Sequence, residues 1–207
     1  DGETRGDGPT IAVTTPILGS LVRDLVGDQA NVVVAMPNGA DPHDYSPSAK
    51  TVATINNAYL IVENGLDLEE GLHDVLENAR ADGVPVFTAT DHVTLREVTG
   101  GNDHADESET AHDHEGDDPH IWMDPIAMRD MVRALAPVLD RDLGLRVAAR
   151  GTDLAGRLDA LNAQATGLLA GIPPAERKLG TGHESMGDFA DRYHLELVGA
   201  LLPSLSS

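Results

Sequence analysis

The segment TIAVTTPILGSLVRDLVGDQANVVVAM, residues 10–36, predicts the fold class of this chain. Residues 10–14 are a short apolar run typical of a buried strand. Thr15 and Pro16 then supply an N-cap and a proline at the first helical position. Apolar side chains recur at helical spacing as far as Gly27, and a second apolar strand follows at residues 31–36. A strand, a helix and a strand in this order predict two parallel strands joined by a crossover helix.

The same alternation continues towards the middle of the chain. Further strands are predicted at residues 59–63 and 84–88, and helices at 46–56 and 68–80. Strands alternating with helices of this length indicate an α/β fold, in which helices cover both faces of a parallel sheet. Ligands of such sheets bind beyond the carboxyl ends of the strands.

Two segments carry too few apolar side chains to form structure of their own. Residues 1–9 are polar and glycine-rich and predict a flexible N-terminal linker. Residues 100–118 hold eight acids and three histidines (His104, His112 and His114) without any lysine or arginine. This composition predicts a mobile loop, which could gather zinc loosely or serve only as a solvated linker.

The remaining boundaries divide the chain into two lobes and a connector. Residues 10–124 are predicted as an N-terminal α/β lobe and residues 125–174 as a helical connector that includes a long helix over 145–170. Residues 175–207 supply about two strands and one helix, which is too little for a second domain. We therefore expect a C-terminal lobe that is incomplete in this chain.

Charge and cysteine content exclude several classes of function. The chain of 207 residues has 14 basic and 35 acidic residues, a formal charge of −21, which argues against binding nucleic acid. No cysteine is present, so a bound metal would be held by nitrogen and oxygen ligands.

Three histidines lie in turn-rich segments that are predicted to follow strands. His43 and His120 occupy matching Asp-Pro-His tripeptides, and His183 follows Thr181-Gly182. Three imidazoles that converge on one crevice form a zinc-type ligand set, whereas manganese prefers more oxygen ligands. His73 is expected at the surface, and His92 and His194 have no such context.

Nearby carboxylates could orient these rings through their second nitrogens. Asp41, Asp118 and Asp124 are the nearest candidates in the sequence. For Asp124 we expect instead the role of an exposed N-cap, because Pro125 follows it at the start of a helix.

The sequence resembles the metal-binding solute-binding proteins of ABC importers for zinc and manganese, the ZnuA/TroA-like group. The resemblance rests on five segments that occur in the family's order: residues 14–18, 37–48, 64–69, 118–125 and 181–190. The second, fourth and fifth of these contain the histidines named above.

This resemblance implies two α/β lobes joined by a rigid long helix, with the metal held between them by His43, His120 and His183. Histidine at the third position favours zinc, since glutamate there is typical of manganese importers. The family's fourth ligand, a late aspartate, has no counterpart in this chain. A glutamate that some members place before the first histidine is Pro42 here. Water, a residue outside this chain or Glu184 could fill that position.

The resulting hypothesis is an extracytoplasmic zinc-binding protein that is not an enzyme. It would capture Zn²⁺ as a monomer, in a periplasm or as a cell-surface lipoprotein, and deliver it to a membrane ABC permease. Three alternatives remain open at this stage: a manganese-binding importer component, a zinc-dependent hydrolase with water as the fourth ligand, and an extracellular adhesin.

Overall fold

The computed structural model describes residues 8–96, 117–182 and 185–200. Six strands lie in these residues: β1 (Thr10–Val13), β2 (Asn31–Val34), β3 (Leu60–Glu63), β4 (Val86–Thr88), β5 (Lys178–Thr181) and β6 (Glu196–Ala200). Six α-helices accompany them: α1 (Pro16–Val26), α2 (Ala49–Asn56), α3 (His73–Ala81), α4 (Pro125–Leu143), α5 (Ala148–Leu169) and α6 (Gly187–Tyr193). The predicted linker 1–9 and the acidic loop 100–118 lie almost wholly outside the described residues.

The first sheet has four parallel strands in the order β2-β1-β3-β4. Alternate residues of β1 point to opposite faces: Ile11 and Val13 pack with α1 and α4, and Ala12 packs on the side of α2 and α3. Both faces are therefore covered by helices, which confirms the predicted α/β class. A second pair of parallel strands, β5 and β6, encloses α6 in the sequence.

Strand order places a ligand crevice between β1 and β3. The chain leaves β1 towards β2 on one side of the sheet and returns to β3 on the other side. The connections after β1 and β3 consequently diverge, and the gap between them is the usual ligand position in open parallel sheets. Thr14 and Asn64 are the first residues beyond these two strand ends.

Helix ends follow local signals in the sequence. Thr15 Oγ1 accepts a hydrogen bond from the Leu18 backbone N–H at 3.4 Å, with Pro16 at the first position of α1, as predicted. The start of α2 was predicted too early, because Ser48 and not Ser46 caps this helix by accepting from the Thr51 N–H at 3.2 Å.

The long helix of the connector is shorter than predicted. Gly144 adopts a left-handed conformation and closes α4, and α5 begins only at Ala148. Its 22 residues span about 33 Å, where the prediction over 145–170 gave nearly 40 Å. Its predicted apolar stripe is buried only near the N-terminal end, at Leu154, whereas Leu161 is 49% exposed and Leu168 is 74% exposed.

Candidate metal centre

His43 lies in the loop that follows β2, at the carboxyl end of the sheet. The carboxylate Oδ1 of Asp41 accepts a hydrogen bond from the His43 backbone N–H at 3.0 Å. The Tyr45 hydroxyl donates to the Ala35 carbonyl at 2.8 Å, which ties the loop to the end of its strand. The imidazole of His43 is 31% exposed. The loop thus presents a partly accessible ring on a fixed backbone.

His120 is held more tightly than His43. Asp118 Oδ1 accepts from the His120 backbone N–H at 3.0 Å and lies 2.8 Å from the ring nitrogen Nδ1. The residue is only 6% exposed, and its ring packs edge-on against Trp122 at 5.2 Å between ring centres. A carboxylate at Nδ1 fixes the proton there and leaves Nε2 as the nitrogen that a metal can bind.

Burial and hydrogen bonding act in opposite directions on Asp118. Burial raises its pKa, but hydrogen bonds from His120 and the positive charge of Arg96 outweigh that effect, so the pKa of Asp118 lies below its ordinary value. The Arg96 guanidinium is 3.6 Å from the Asp118 carboxylate. Asp118 is therefore a carboxylate anion at neutral pH, as an orienting partner of a metal-binding imidazole should be.

The rings of His43 and His120 lie next to one another at the carboxyl edge of the sheet. Their centres are 5.9 Å apart and their planes are inclined by 56°. Zn–N distances of ~2.0–2.1 Å place each ring centre roughly 3 Å from a bound ion, so two ligand rings at the tetrahedral angle stand roughly 5 Å apart. A shift of about 1 Å would bring the rings of His43 and His120 to that separation. The two matching tripeptides thus meet at the carboxyl edge of the sheet.

The third predicted ligand, His183, lies outside the described residues, as does Glu184. Thr181 and Gly182 before them are described, and they stand at the end of β5. In the part of the chain that the structure describes, no group of three or more His, Asp or Glu side chains is arranged to hold a metal ion. The set of His43, His120 and His183 therefore stays a prediction.

His120 was predicted to lie in a turn-rich segment after a strand, and this stays a prediction because residues 97–116 lie outside the described part of the chain. Within the described residues it follows an isolated bridge residue, Asp117, and it leads into a short helical turn at Ile121–Met123 and then α4. The Asp118 backbone N–H donates to the Arg96 carbonyl at 2.9 Å, which holds this approach in place.

A buried network beneath the His120 loop was not predicted from the sequence. Glu69 is 4% exposed, and its carboxylate accepts from the Thr14 hydroxyl at 2.5 Å and the Asn64 N–H at 2.7 Å. Burial raises the pKa of Glu69 above its ordinary value. The Asn64 side-chain amide in turn donates to the Pro119 carbonyl at 2.8 Å, next to His120. The network joins the ends of β1 and β3 to the His120 loop. The only sign of it in the sequence was that Asn64, Gly65 and Glu69 occur together in the segment 64–69.

Carboxylates and arginines surround the Asp118–His120 pair on the side of α6. Arg96 Nε binds Asp191 at 2.9 Å, and Arg192 binds both oxygens of Asp124 at 2.9 and 2.5 Å. Burial, with the neighbouring charges of Asp118 and Asp124, raises the pKa of Asp188 to about 7.

Asp124 caps α4 as predicted, since its Oδ1 accepts from the Ile126 N–H at 2.8 Å. The expectation that this cap is exposed was wrong, because Asp124 is buried beneath Arg192. The sequence around Asp124 gave no hint of this partner, which comes from α6, 68 residues further on.

Comparison with known proteins identifies the family. The sequence profile described as "ZnuA: Zinc-uptake complex component A periplasmic" matches residues 11–207. The chain belongs to this family. Its fold agrees: the periplasmic zinc-binding protein TroA of Treponema pallidum superposes with a TM-score of 0.75 at 25% identity, covering 97% of this chain and 70% of that one. A zinc-bound deletion variant of ZnuA gives 0.75 at 25% identity, with 96% and 74% covered.

Curated relatives include proteins named for each of two metals. The zinc-binding lipoprotein AdcA of Streptococcus pneumoniae is 29% identical over 95% of this chain and 40% of its own length. The manganese-binding lipoprotein MntA of Halalkalibacterium halodurans is 30% identical over 58% of this chain and 35% of its own length. This chain spans about two fifths of the length of the first curated relatives that it matches.

AdcA and MntA are named as metal-binding lipoproteins, and PsaA of Streptococcus pneumoniae, 28% identical over 58% of this chain, is named as the substrate-binding lipoprotein of a manganese ABC transporter. None of these names is that of an enzyme. The zinc-hydrolase alternative is therefore not supported, in agreement with the expectation that the chain is not an enzyme. None of the relatives named here is described as an adhesin. No helix among the described residues combines the length and apolar character needed to cross a membrane.

Proposed function

We propose that this chain is the zinc-capture part of an ABC importer component, with His43, His120 and His183 as ligands of the transported ion. Zinc is the cargo in this proposal, and binding followed by release is the whole of its chemistry. The observation that carries it is the pair of imidazoles from two matching loops, 5.9 Å apart between ring centres, beside the crevice of the parallel sheet.

The fixed orientation of His120 supports a metal-binding role over a structural one. A buried imidazole N–H needs an acceptor in either role, but a charged carboxylate on Nδ1, here at 2.8 Å, is the usual partner of a metal-binding histidine. The same carboxylate also fixes the backbone of the loop, so one side chain sets both the position and the tautomer of the ring.

Zinc is favoured over manganese by the nature of the donors. Two of the proposed ligands, His43 and His120, are imidazoles within the described residues, and the third, His183, is also a histidine. Imidazole suits zinc, whereas manganese prefers carboxylate, carbonyl and water oxygens. Manganese remains the second candidate, because relatives with either metal in their names match this chain.

We further propose that the protein acts outside the cytoplasm, in a periplasm or as a cell-surface lipoprotein, and passes its ion to a membrane permease. Support comes from the family description and from relatives named as periplasmic proteins or lipoproteins. Zinc capture by a monomer completes the proposal.

A competition titration against a colorimetric zinc chelator tests the proposal. Wild type, His43→Ala, His120→Ala and His183→Ala are compared, with His194→Asn as the matched control. His194 is exposed and has a left-handed backbone that asparagine tolerates. Each ligand variant is expected to lose zinc affinity by orders of magnitude while circular dichroism remains that of the wild type.

The same titration with manganese decides between the two metals. We expect far weaker binding of manganese, in keeping with its place below zinc in the general order of divalent affinities. Zinc affinity that survives His120→Ala undiminished would contradict the proposal, and stronger binding of manganese than of zinc would replace zinc as the cargo.

A further inference from the structure

Glu70 stands beside the more exposed of the two histidines. Its carboxylate Oε1 lies 4.0 Å from His43 Nδ1, and its side chain is 60% exposed. Resting on the function proposed above, we propose that Glu70 is the positioning residue of His43. It would hold the proton on Nδ1 and direct Nε2 to the metal, as Asp118 does for His120.

The backbone that carries Glu70 is fixed from both sides. Its neighbour Glu69 is anchored in the buried network with Thr14 and Asn64. On the other side, Leu72 is fully buried. Because both neighbours are anchored, the backbone of Glu70 is held in place and only its side chain can rotate. The fold therefore sets the position of Glu70 beside the His43 loop.

Close packing joins this segment directly to the loop of His43. A Cβ added at Gly71 would lie 1.9 Å from the Tyr45 carbonyl oxygen, a distance that no side chain can adopt. Glycine at this position lets the Glu70–Leu72 turn press against the His43 loop. The carboxylate and the ring are therefore brought together by two rigid segments in contact.

The two histidines differ in what their own tripeptides provide. Asp118 binds both the backbone N–H and the ring of His120, whereas the contact given by Asp41 is to the backbone N–H of His43. Glu70 supplies a carboxylate on the Nδ1 side of His43 from a different element. Each imidazole thus has one carboxylate at Nδ1, although only one of the two lies within its own motif.

The distance of 4.0 Å between Glu70 Oε1 and His43 Nδ1 is longer than a hydrogen bond. Rotation of the Glu70 side chain can shorten it. N–H···O bonds to carboxylates are ~2.7–2.9 Å long, so the Glu70 carboxylate must approach by about 1 Å. Its exposure leaves room for that movement without a change of backbone. A metal on Nε2 makes Nδ1–H more acidic and strengthens its attraction to the carboxylate.

Three variants test whether Glu70 positions His43, binds the metal itself or has no part in metal binding. Glu70→Ala removes the acceptor and the charge, Glu70→Gln keeps an acceptor without the charge, and Glu77→Ala removes an equal charge at an exposed position of α3. Zinc alone is the probe. The measurements are zinc affinity by chelator competition, the solvent exchange of the His43 Nδ1–H by NMR of the zinc-loaded protein, and the number of oxygen donors by zinc-edge X-ray absorption.

We expect Glu70→Ala to lower zinc affinity about 10- to 100-fold, Glu70→Gln to lower it less, and Glu77→Ala to leave it unchanged. The His43 Nδ1–H should exchange faster in Glu70→Ala, with the oxygen count at zinc unaltered. Loss of an oxygen donor in Glu70→Ala would overturn the inference, since Glu70 would then be a ligand. Wild-type affinity in Glu70→Ala would overturn it while the proposed function stood. A wild type that binds no zinc would overturn both.

Discussion

Asp118 is the residue on which the geometry of His120 depends. Its carboxylate binds the ring, the backbone N–H and the charge of Arg96 at once. Asp41, in the matching tripeptide, binds a backbone N–H. The two aspartates therefore occupy equivalent positions but differ in their importance for metal binding, and substitution of each should show this difference.

We expect Asp118→Asn to lower zinc affinity about 10- to 100-fold, because asparagine can still accept from Nδ1–H but brings no negative charge. Asp41→Asn is the matched control. Asparagine keeps the backbone hydrogen bond there, so its effect should be smaller. Chelator competition measures both, and an equal loss in the two variants would refute the distinction.

The raised pKa of Asp188 predicts how the stability of the folded protein depends on pH. Burial and the charges of Asp118 and Asp124 raise its pKa to about 7. Between its ordinary pKa of 3.8 and about 7, the folded protein holds a proton that the unfolded chain has lost, so this residue's contribution to stability falls as pH rises. Above about pH 7 the charged carboxylate destabilises the fold by a constant amount.

Asp188→Asn should therefore be more stable than the wild type, with an advantage that grows from about pH 4 to about pH 7 and then levels off. After allowance for solvent screening, we expect about 1–2 kcal/mol at alkaline pH. Urea unfolding across this range measures it, with Asp153→Asn, an exposed aspartate of α5, as control. An advantage that does not change with pH would disprove the assignment.

The sequence revealed the candidate metal donors and the orienting carboxylate Asp118, but not the charged residues that reach this region from distant segments. His43 and His120 were predicted because each lies in a recognisable tripeptide. Arg96, Asp188 and Arg192 were missed, since they reach the site from segments 22 residues before Asp118 and about 70 residues after it. Periodicity and motif spacing carry no information on such long-range ion pairs.

Helix α5 packs against α1 and α4, and α4 begins five residues after His120. Gly151 of α5 faces Ala136 of α4, and an added Cβ would lie 2.9 Å from the Ala136 Cβ and 3.6 Å from Leu25 of α1. Gly156, five residues on, has nothing within 4 Å of such a Cβ. Both glycines lie in α5, but Gly151 is tightly packed against its neighbours and Gly156 has open space around it.

Alanine should therefore act in opposite directions at these positions. Gly151→Ala overpacks the contact between helices and should destabilise the fold by about 1–3 kcal/mol. Gly156→Ala lies at an exposed helical position and should stabilise it by about 0.5–1 kcal/mol. Thermal unfolding of both variants measures the difference, and destabilisation by Gly156→Ala would contradict this view of the helix.

Elements of the first sheet were predictable because their signals are local. Strands β1 and β2 begin where the sequence predicted, and Thr15-Pro16 marked the start of α1 correctly. The apolar stripe of α5 was different. Periodicity correctly placed Leu161 and Leu168 on one face, but it cannot tell which element covers that face, and both side chains are exposed in the described part of the chain.

At the scale of the whole molecule, α6 ties the β5–β6 unit to the His120 region. Arg96 holds Asp191 of this helix, and Arg192 of the same helix holds Asp124 at the start of α4. Helix α6 begins four residues after His183 in the sequence. These ion pairs therefore couple the segment that carries the third proposed ligand to the loop that carries the second.

A double-mutant cycle with Asp124→Asn and Arg192→Gln measures this coupling through urea unfolding. Asparagine is a good N-cap, so Asp124→Asn removes the ion pair while α4 keeps its cap. Since Asp124 is buried but Arg192 is more than a third exposed, we expect a coupling free energy of about 1 kcal/mol, well below that of a buried pair. The exposed Arg141–Asp142 pair on α4 is the control, and its coupling should be smaller. Equal coupling in the two cycles would show that α6 is not fastened to the His120 region through Arg192.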